Sequence, residues 1–279
     1  MLKRIITSIV VACFAAPILV FSHTWFFPIA IGAVSVVCLF EMFRCMKLQK
    51  NLLLTIPAYL ISIVVPIIQR LLLSPATVMC VCAILFFVYV LYVFVLVIWS
   101  HGRLSYNDVA ACVFTCLYIL LSLNMILYIR DFGDVGKYVY LFVIIGACIT
   151  DIFAYFTGIL FGKHKLIEDV SPKKTIEGSI GGTVFCIIAF VVAGLIIDFC
   201  FDRNANIIFL AVGGFFVAVI AQIGDLIMSV IKRHYGIKDF GKIFPGHGGM
   251  LDRFDSILAV SLGVGAMCMV SVITGIEML

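Results

Sequence analysis

The sequence predicts an all-α integral membrane protein with about nine transmembrane helices. Of its 279 residues, 64% are hydrophobic and only 12% are charged, a composition outside the range of soluble domains. Apolar runs of about 20 residues, the length that an α-helix needs to cross a hydrocarbon core of roughly 30 Å, recur along the whole chain. Lysine and arginine are concentrated in alternate connecting segments, which is typical of a polytopic protein.

Nine apolar segments are long enough to be drawn as spans. The predicted spans cover residues 5–21, 26–43, 52–68, 77–99, 109–129, 138–161, 179–199, 207–231 and 256–276. Pro17, Pro28, Pro57 and Pro66 interrupt the first three. A membrane bundle tolerates such prolines where neighbouring groups satisfy the freed carbonyls.

The positive charges predict the orientation of these spans. With the N-terminus inside, all but four of the 19 lysines and arginines fall in inner segments. The outer four are Arg70, Arg130, Lys137 and Arg203. This bias predicts a cytoplasmic N-terminus, and the compact length favours a bacterial inner membrane. The net charge of +4 fits inner loops beside anionic lipid headgroups and requires no nucleic-acid partner.

The first segment has an alternative interpretation as a cleaved signal peptide. Lys3 and Arg4 precede its apolar run, and small residues follow near Ala15. The other eight spans would keep the same orientation in either case.

Polar residues divide the chain into two predicted domains. They are sparse in residues 1–130, which we interpret as transmembrane helices without a motif, and dense in residues 131–279, a predicted catalytic transmembrane domain. The eleven cysteines fall mostly inside apolar spans and form no CxxC pair. Neither a disulfide scaffold nor a zinc site is therefore predicted.

Asp151 is the first polar residue that stands out. It lies ten residues before the inner end of the sixth predicted span, roughly 15 Å deep at about 1.5 Å per residue. A carboxylate at that depth normally faces a water-filled cavity or a partner, and function is the default hypothesis. The alternative is a hydrogen-bonded or protonated aspartate that fixes helix packing.

A basic loop follows that span, with the sequence Ser-Pro-Lys-Lys-Thr-Ile-Glu-Gly from Ser171 to Gly178. Its adjacent Lys173 and Lys174 are suited to phosphate, which lysine binds as a mobile point charge. The alternative is an ordinary inner loop, which we favour for Lys163 and Lys165.

The densest polar cluster runs from Asp225 to Asp255 at the inner edge of the last two spans. Asp252 and Asp255 are three residues apart, so a helix places both carboxylates on one face, as a divalent-cation site requires. Magnesium is the natural candidate, because it prefers oxygen ligands and is usually held by one or two carboxylates together with substrate phosphates. Asp225 lies six residues from the end of the eighth predicted span, roughly 9 Å below the inner surface, where it can line a cavity at headgroup depth.

Glycines and cations accompany these carboxylates. Gly246, Gly248 and Gly249 would let backbone N–H groups approach a polyphosphate. Positive charge comes from Lys232, Arg233, Lys238 and Arg253. Alternatively, the glycines only make a turn and Asp255 only caps a helix. Together the cluster predicts a metal and polyphosphate site within reach of a lipid.

The stretch from Ser229 to Asp255 resembles the signature of the phosphatidate cytidylyltransferase (CDP-diacylglycerol synthase) family. It reads Ser-x-x-Lys-Arg, then Lys-Asp, then Pro-x-His-Gly-Gly-x-x-Asp-Arg-x-Asp. The loop 171–178 is similar to the family's second motif. The resemblance covers the C-terminal half from Asp151 onward, and the N-terminal spans carry no motif that we recognise.

The resemblance implies a set of roles for these residues. It implies Asp225 and Asp252 as metal ligands. To these we add the hypothesis that Asp255 is an additional ligand or supports one and that Asp151 contributes to the same site. Asp225, Asp252, Lys232 and Arg233 are the expected catalytic residues. The substrate-binding residues would be Lys173, Lys174, Ser229, Lys238, His247, Gly248, Gly249 and Arg253. The expected cofactor is Mg²⁺, with K⁺ as a second ion, and the expected assembly is a homodimer in the bilayer.

The implied reaction makes CDP-diacylglycerol and pyrophosphate from CTP and phosphatidic acid. Its nucleophile is already anionic near neutral pH, so the enzyme must hold two anions together and needs no general base. The nearest alternative is a CTP-dependent polyprenol or phytol kinase, which would release CDP. A transporter that binds cations at Asp151 and Asp225 is a third hypothesis. The Asp-Gly-x-x-Ala-Arg motif of CDP-alcohol phosphotransferases is absent from the sequence.

Overall fold

The structure is a computed structural model that describes Cys13 and residues 16–72, 75–101, 104–246 and 248–279. Most of the first predicted span, 5–21, lies outside the described residues. The residues of the alternative signal peptide lie mostly outside them as well, and so does the predicted site residue His247.

The described part of the chain is helical apart from one short hairpin. In chain order its helices are α1 (Phe26–Cys45), α2 (Leu52–Leu71), α3 (Pro75–Trp99), α4 (Tyr106–Arg130), α5 (Gly136–Val139), α6 (Leu141–Phe161), α7 (Ile176–Phe201), α8 (Ile207–His234) and α9 (Leu251–Thr274). The hairpin strands are β1 (Lys165–Ile167) and β2 (Ser171–Thr175).

Eight helical segments among the described residues are long and apolar enough to cross a membrane. They coincide with the second to ninth predicted spans, so the prediction of an all-α polytopic membrane protein is confirmed. The fifth of these segments, Gly136–Phe161, joins the short α5 to α6. The count of nine stays approximate, because the remaining predicted span falls where the chain is not described.

Prolines in the early spans do not end their helices. Pro57 and Pro66 both lie inside α2, which continues to Leu71. Pro28 lies in the first turn of α1, where a missing N–H costs no helical hydrogen bond. The structure therefore confirms that these spans accommodate their prolines.

The described residues form two compact units. The first comprises residues up to Leu127 together with Tyr235–Arg253, and the second comprises Tyr128–His234 and Phe254–Leu279. The predicted division at residues 130 and 131 is not tested by this grouping and stays a prediction.

In the first unit, α1 packs against α2 and α2 against α3. The buried side chains of Phe27, Leu39, Met42 and Leu54 form its apolar core. Tyr89 of α3 is buried, and its hydroxyl lies 3.5 Å from the Sγ atom of Cys112 on α4. Cys112 is buried and free, as expected for a small core residue.

In the second unit, α6 packs against α7 and α8, and α7 against α8. Phe142 meets Phe190 edge to face at 4.9 Å, and Phe153 stacks on Phe185 at 3.9 Å, so aromatic contacts join α6 to α7 along their length. Residues 162–178 lie between two predicted spans and were predicted to be a loop. The structure forms an antiparallel hairpin there, pairing Lys165 with Thr175 and Ile167 with Ser171.

Thr175 connects this hairpin to α7. It is the last residue of β2 and also the N-cap of α7, where its Oγ1 atom accepts a hydrogen bond from the N–H of Gly178 at 3.1 Å. The lysines of β2 are thereby placed directly at the start of a membrane helix.

Candidate active site

The second unit contains a cavity of about 500 Å³ bounded by α6, the hairpin, α7 and α8. Its charged lining comprises Asp151, Lys165, Lys173, Lys174 and Asp225, and apolar and small residues of α6 and α7 complete the wall. The structure therefore brings Asp151, Lys173, Lys174 and Asp225, which the sequence singled out, to one cavity. It also adds Lys165, which we had assigned to an ordinary loop.

An ion pair crosses this cavity. The Nζ atom of Lys174 lies 2.6 Å from Oδ2 of Asp225, and both side chains are 24% exposed. Such a partly buried, close pair fixes the lysine of β2 against α8. The pair also shows that a predicted phosphate-binding residue and a predicted metal ligand lie in direct contact.

Two more carboxylates belong to the same neighbourhood of the second unit. Asp255 of α9 is close enough to Asp225, Lys232 and Asp151 for their charges to interact. Asp151 accepts a hydrogen bond from the hydroxyl of Ser256 at 2.8 Å. The polar residues in the middle of α6 and at the start of α9 thus face each other within this unit.

The cavity also has an uncharged polar wall that was not predicted from the sequence. Gln222 accepts a hydrogen bond from the hydroxyl of Ser179 and donates through Nε2 to the carbonyl of Ser179 at 3.2 Å and to Oγ1 of Thr183 at 3.1 Å. Gln222 lies three residues before Asp225 and therefore on nearly the same face of α8. This spacing from Asp225 was the feature of the sequence from which the position of Gln222 could have been predicted.

Hydrogen bonds hold in place the hairpin that carries the cavity lysines. Nζ of Lys165 donates to the carbonyl of Pro172 at 2.6 Å, across the hairpin. Glu177, in the first turn of α7, accepts hydrogen bonds from the N–H groups of Lys163 and His164 at 3.1 and 3.2 Å. Its carboxylate also lies 2.7 Å from Nδ1 of His164. These contacts hold Lys173 and Lys174 at the cavity.

A second pocket, of about 660 Å³, lies in the segment Tyr235–Arg253 of the first unit. We call this segment the loop segment and its pocket the loop pocket. Its lining includes three cations, Lys238, Lys242 and Arg253, and one carboxylate, Asp239. The N–H of Phe244 donates to the carbonyl of Gly248 at 2.9 Å and closes a turn. Gly246 and Gly248 have φ angles of 82° and 85°, which L side chains rarely adopt.

Asp252, the predicted metal ligand, holds this loop together. Its Oδ2 atom accepts hydrogen bonds from the N–H groups of Phe240 at 2.8 Å, Gly249 at 2.9 Å and Gly241 at 3.4 Å. The residue is 6% exposed. These bonds engage Oδ2 in holding the loop, and the role of Asp252 as a metal ligand stays a prediction.

The remaining predicted site residues have different surroundings. Ser229 and Lys232 of α8 are buried, at 8% and 9% exposure. Arg233 is exposed, and its Nε donates to the carbonyl of Val170 at 3.4 Å. The N–H of Gly249 is engaged by Asp252, whereas the prediction had offered it to a phosphate. Their predicted roles in catalysis and substrate binding stay predictions.

The second unit contains side chains of the chemical type that binds magnesium. Asp225, Asp255 and Asp151 offer carboxylate oxygens, the ligands that Mg²⁺ prefers. Across the described part of the chain, no three His, Cys, Asp or Glu side chains are grouped so as to hold a metal by themselves. The residues therefore fit a cation that takes one or two carboxylates and completes its shell with water and phosphate.

Glu41 of α1 is the most notable residue that sequence reasoning overlooked. It is completely buried, and its two oxygens accept hydrogen bonds from the N–H groups of Met250 and Leu251 at 3.1 and 2.8 Å. A lone glutamate near the end of an apolar span was the only sign in the sequence, and we had assumed no specific role for the N-terminal spans.

Comparison with known proteins places this architecture in a family. A family model described as "Cytidylyltransferase family" matches residues 2–271. The chain is 40% identical over 161 residues to a phosphatidate cytidylyltransferase of Staphylococcus haemolyticus. It is 38% identical to proteins of the same name from Staphylococcus saprophyticus and Staphylococcus aureus, also over 161 residues. Each match covers 58% of this chain and 59% of the relative.

Proposed function

The chain belongs to the cytidylyltransferase family, and we propose that it is a phosphatidate cytidylyltransferase that transfers CMP from CTP to phosphatidic acid. The names of the staphylococcal relatives support this activity. The observation that carries the proposal is the cavity of the second unit, in which three lysines and two aspartates line a space between membrane helices. Such a cavity suits the phosphate group of a lipid substrate.

The reaction requires two anions to approach each other. A phosphate oxygen of phosphatidic acid attacks the α-phosphorus of CTP and forms a new P–O bond. The bond from the α-phosphorus to the bridging oxygen of the β-phosphate breaks, and its electron pair leaves with pyrophosphate. No proton has to be removed from the nucleophile, which agrees with a cavity lined by lysines and carboxylates.

The residues of this cavity have separate tasks in the proposal. Lys173 and Lys165 offset the negative charge of the substrates, because an ammonium group suits phosphate oxygens. Lys174 is held by Asp225, so its ammonium group is already oriented before a phosphate arrives. This preorganisation lowers the reorganisation needed in the transition state.

A divalent cation completes the proposed site. Asp225 and Asp255 would hold Mg²⁺, which when bound neutralises phosphate charge and stabilises the pyrophosphate leaving group. Asp151 lies beside them and is tied to Ser256. K⁺ as a second ion, and a homodimer as the assembly, remain proposals from the family resemblance.

The loop pocket of the first unit suits a polyphosphate. Lys238, Lys242 and Arg253 outnumber Asp239 in its lining, which leaves an excess of positive charge. We assign it to the triphosphate of CTP, which carries more charge than the lipid phosphate. CTP is a cytoplasmic metabolite, so the site would face the cytoplasm, in agreement with the distribution of lysine and arginine.

The test is the identity of the products. Purified protein in detergent receives phosphatidic acid, Mg²⁺ and CTP labelled at the α-phosphorus, and a parallel sample receives CTP labelled at the γ-phosphorus. We expect the α-label in the lipid product and the γ-label in pyrophosphate, with both products lost when EDTA replaces Mg²⁺. A γ-label in the lipid, together with release of CDP, would instead identify a lipid kinase.

A further inference from the structure

The buried carboxylate of Glu41 contacts the loop segment of the first unit from a distant part of the sequence. Glu41 lies four residues before the end of α1, and its partners Met250 and Leu251 are about 210 residues further along the chain. Since Glu41 is completely buried, both of its hydrogen bonds are sheltered from water. A charged acceptor in such surroundings makes stronger hydrogen bonds than a neutral one.

The backbone of this loop is shaped to admit the glutamate. A Cβ atom added at Gly241 or at Gly249 would collide with the carboxylate of Glu41. Both positions therefore have to be glycine for the carboxylate to reach the N–H groups at the start of α9. The close approach shows that Glu41 is built into the loop and does not merely lie beside it.

A second residue of α1 fastens the other end of the same segment. Nη2 of Arg44 donates to the carbonyl of Phe240 at 2.6 Å. The N–H of Phe240 donates in turn to Asp252. The segment between Phe240 and Leu251 is thus held at its beginning by Arg44 and at its end by Glu41.

The segment held in this way carries lining of the loop pocket. Gly241, Lys242, Phe244, Pro245, Gly246 and Gly248 all lie between the two anchoring points and line that pocket. Glu41 itself is not part of the lining. It can affect a bound phosphate only by fixing the backbone that presents these residues.

We propose that Glu41 is a positioning residue, which fixes the backbone of residues 249–251 and so holds the loop pocket in the shape that binds the triphosphate of CTP. The proposal rests on the proposed function for the identity of the ligand. The anchoring of the loop is independent of that identity. In this proposal α1 contributes to the binding of CTP, although the sequence of the N-terminal spans contains no motif that indicates such a role.

The experiment compares Glu41→Ala and Glu41→Gln with the wild-type protein, using the full chain in lipid nanodiscs. Gln keeps one carbonyl acceptor but turns an NH₂ group toward an N–H donor, so it preserves part of the anchoring. Ser35→Ala is the matched control, because Ser35 is also buried in α1 and its hydroxyl donates to the carbonyl of Ile31 in the same helix.

Two measurements are made on each protein. Hydrogen–deuterium exchange follows the amides of Met250 and Leu251, which donate to Glu41, and initial rates give the KM for CTP, the KM for phosphatidic acid and kcat. For Glu41→Ala we expect exchange at these two amides to accelerate by about tenfold or more, as expected for loss of hydrogen bonds to a charged group. The KM for CTP should rise by about tenfold, with the KM for phosphatidic acid within about twofold of wild type.

The rank order is part of the test. Glu41→Gln should lie between wild type and Glu41→Ala in both measurements, and Ser35→Ala should match wild type. If Glu41→Ala does not yield folded protein, Glu41→Gln is compared with Ser35→Ala instead. Glu41→Gln should then show faster amide exchange and a higher KM for CTP than Ser35→Ala. Unchanged exchange at Met250 and Leu251 would overturn the anchoring. Faster exchange at these amides with an unchanged KM for CTP would overturn the positioning role.

Failure of the proposed function would be recognised separately. If wild-type protein forms no CDP-diacylglycerol, equilibrium dialysis with labelled CTP replaces the kinetic measurement. Weaker CTP binding by Glu41→Ala would then still support the positioning role. Equal binding by both proteins would refute it.

Discussion

Replacement of Asp252 by asparagine tests whether this residue holds the loop of the first unit independently of any metal. Oδ2 of Asp252 accepts two short hydrogen bonds, from Phe240 and Gly249, and one long bond from Gly241. A hydrogen bond to a charged acceptor contributes roughly 1 kcal/mol more than a bond to a neutral one. Counting the two short bonds, Asp252→Asn should lower the free energy of unfolding by about 2 kcal/mol.

The assay is an SDS titration of the detergent-solubilised protein, performed in EDTA so that no divalent cation contributes. Asp252→Ala should cost more than Asp252→Asn, because it leaves buried N–H groups without their acceptor. Asp239→Asn is the control: Asp239 is exposed in the same loop, and its replacement should change stability by less than about 0.5 kcal/mol. If Asp252→Asn unfolds with the wild-type protein in EDTA, the three hydrogen bonds do not contribute as we argue.

Two further predictions concern single contacts. A double-mutant cycle of Lys174→Met and Asp225→Asn measures the ion pair between these residues, whose charged atoms are 2.6 Å apart. In the same unfolding assay we expect a coupling energy of about 2 kcal/mol. Additive losses of stability in the double variant would contradict a direct interaction. Gly248→Ala should destabilise the protein by about 1 kcal/mol more than Gly236→Ala, because both glycines have positive φ but only a Cβ at Gly248 meets Asp252, at 2.9 Å. Equal losses at the two glycines would refute that contact.

The helices were predictable because membrane spanning imposes a simple physical requirement. Apolar length alone located the second to ninth spans, and the start of α8 at Ile207 agrees with its prediction. The start of α9 was predicted at 256 and lies at Leu251. The polar side chains of Asp252 and Asp255 concealed the first turn, since hydropathy cannot distinguish a polar helix start from a loop.

The candidate site was predictable only where its chemistry was dense in sequence. Lys173, Lys174, Asp151 and Asp225 stood out as charges, and the structure places all four at one cavity. Gln222 and Ser179 did not, because an uncharged polar residue in a helix has many uses. Their contribution depends on the packing of α7 against α8, which the sequence does not express.

The anchoring of the loop was beyond the sequence for a different reason. Glu41 and Leu251 are far apart in the chain, and no pattern linked them. The contacts of Asp252 were also not predicted. The motif suggested this residue as a metal ligand, and the structure surrounds its carboxylate with backbone N–H donors. A motif identifies residues that matter without specifying which atoms they contact.

The most direct test of the central claim compares two exposed lysines that differ in their position at the cavity of the second unit. Lys173 lines the cavity, and Lys163 does not. In assays of CDP-diacylglycerol formation at equal protein concentration, Lys173→Met should lower kcat/KM by about 10²-fold, while Lys163→Met should stay within about twofold of wild type. Equal activity of the two variants would show that the cavity of the second unit does not take part in cytidylyl transfer.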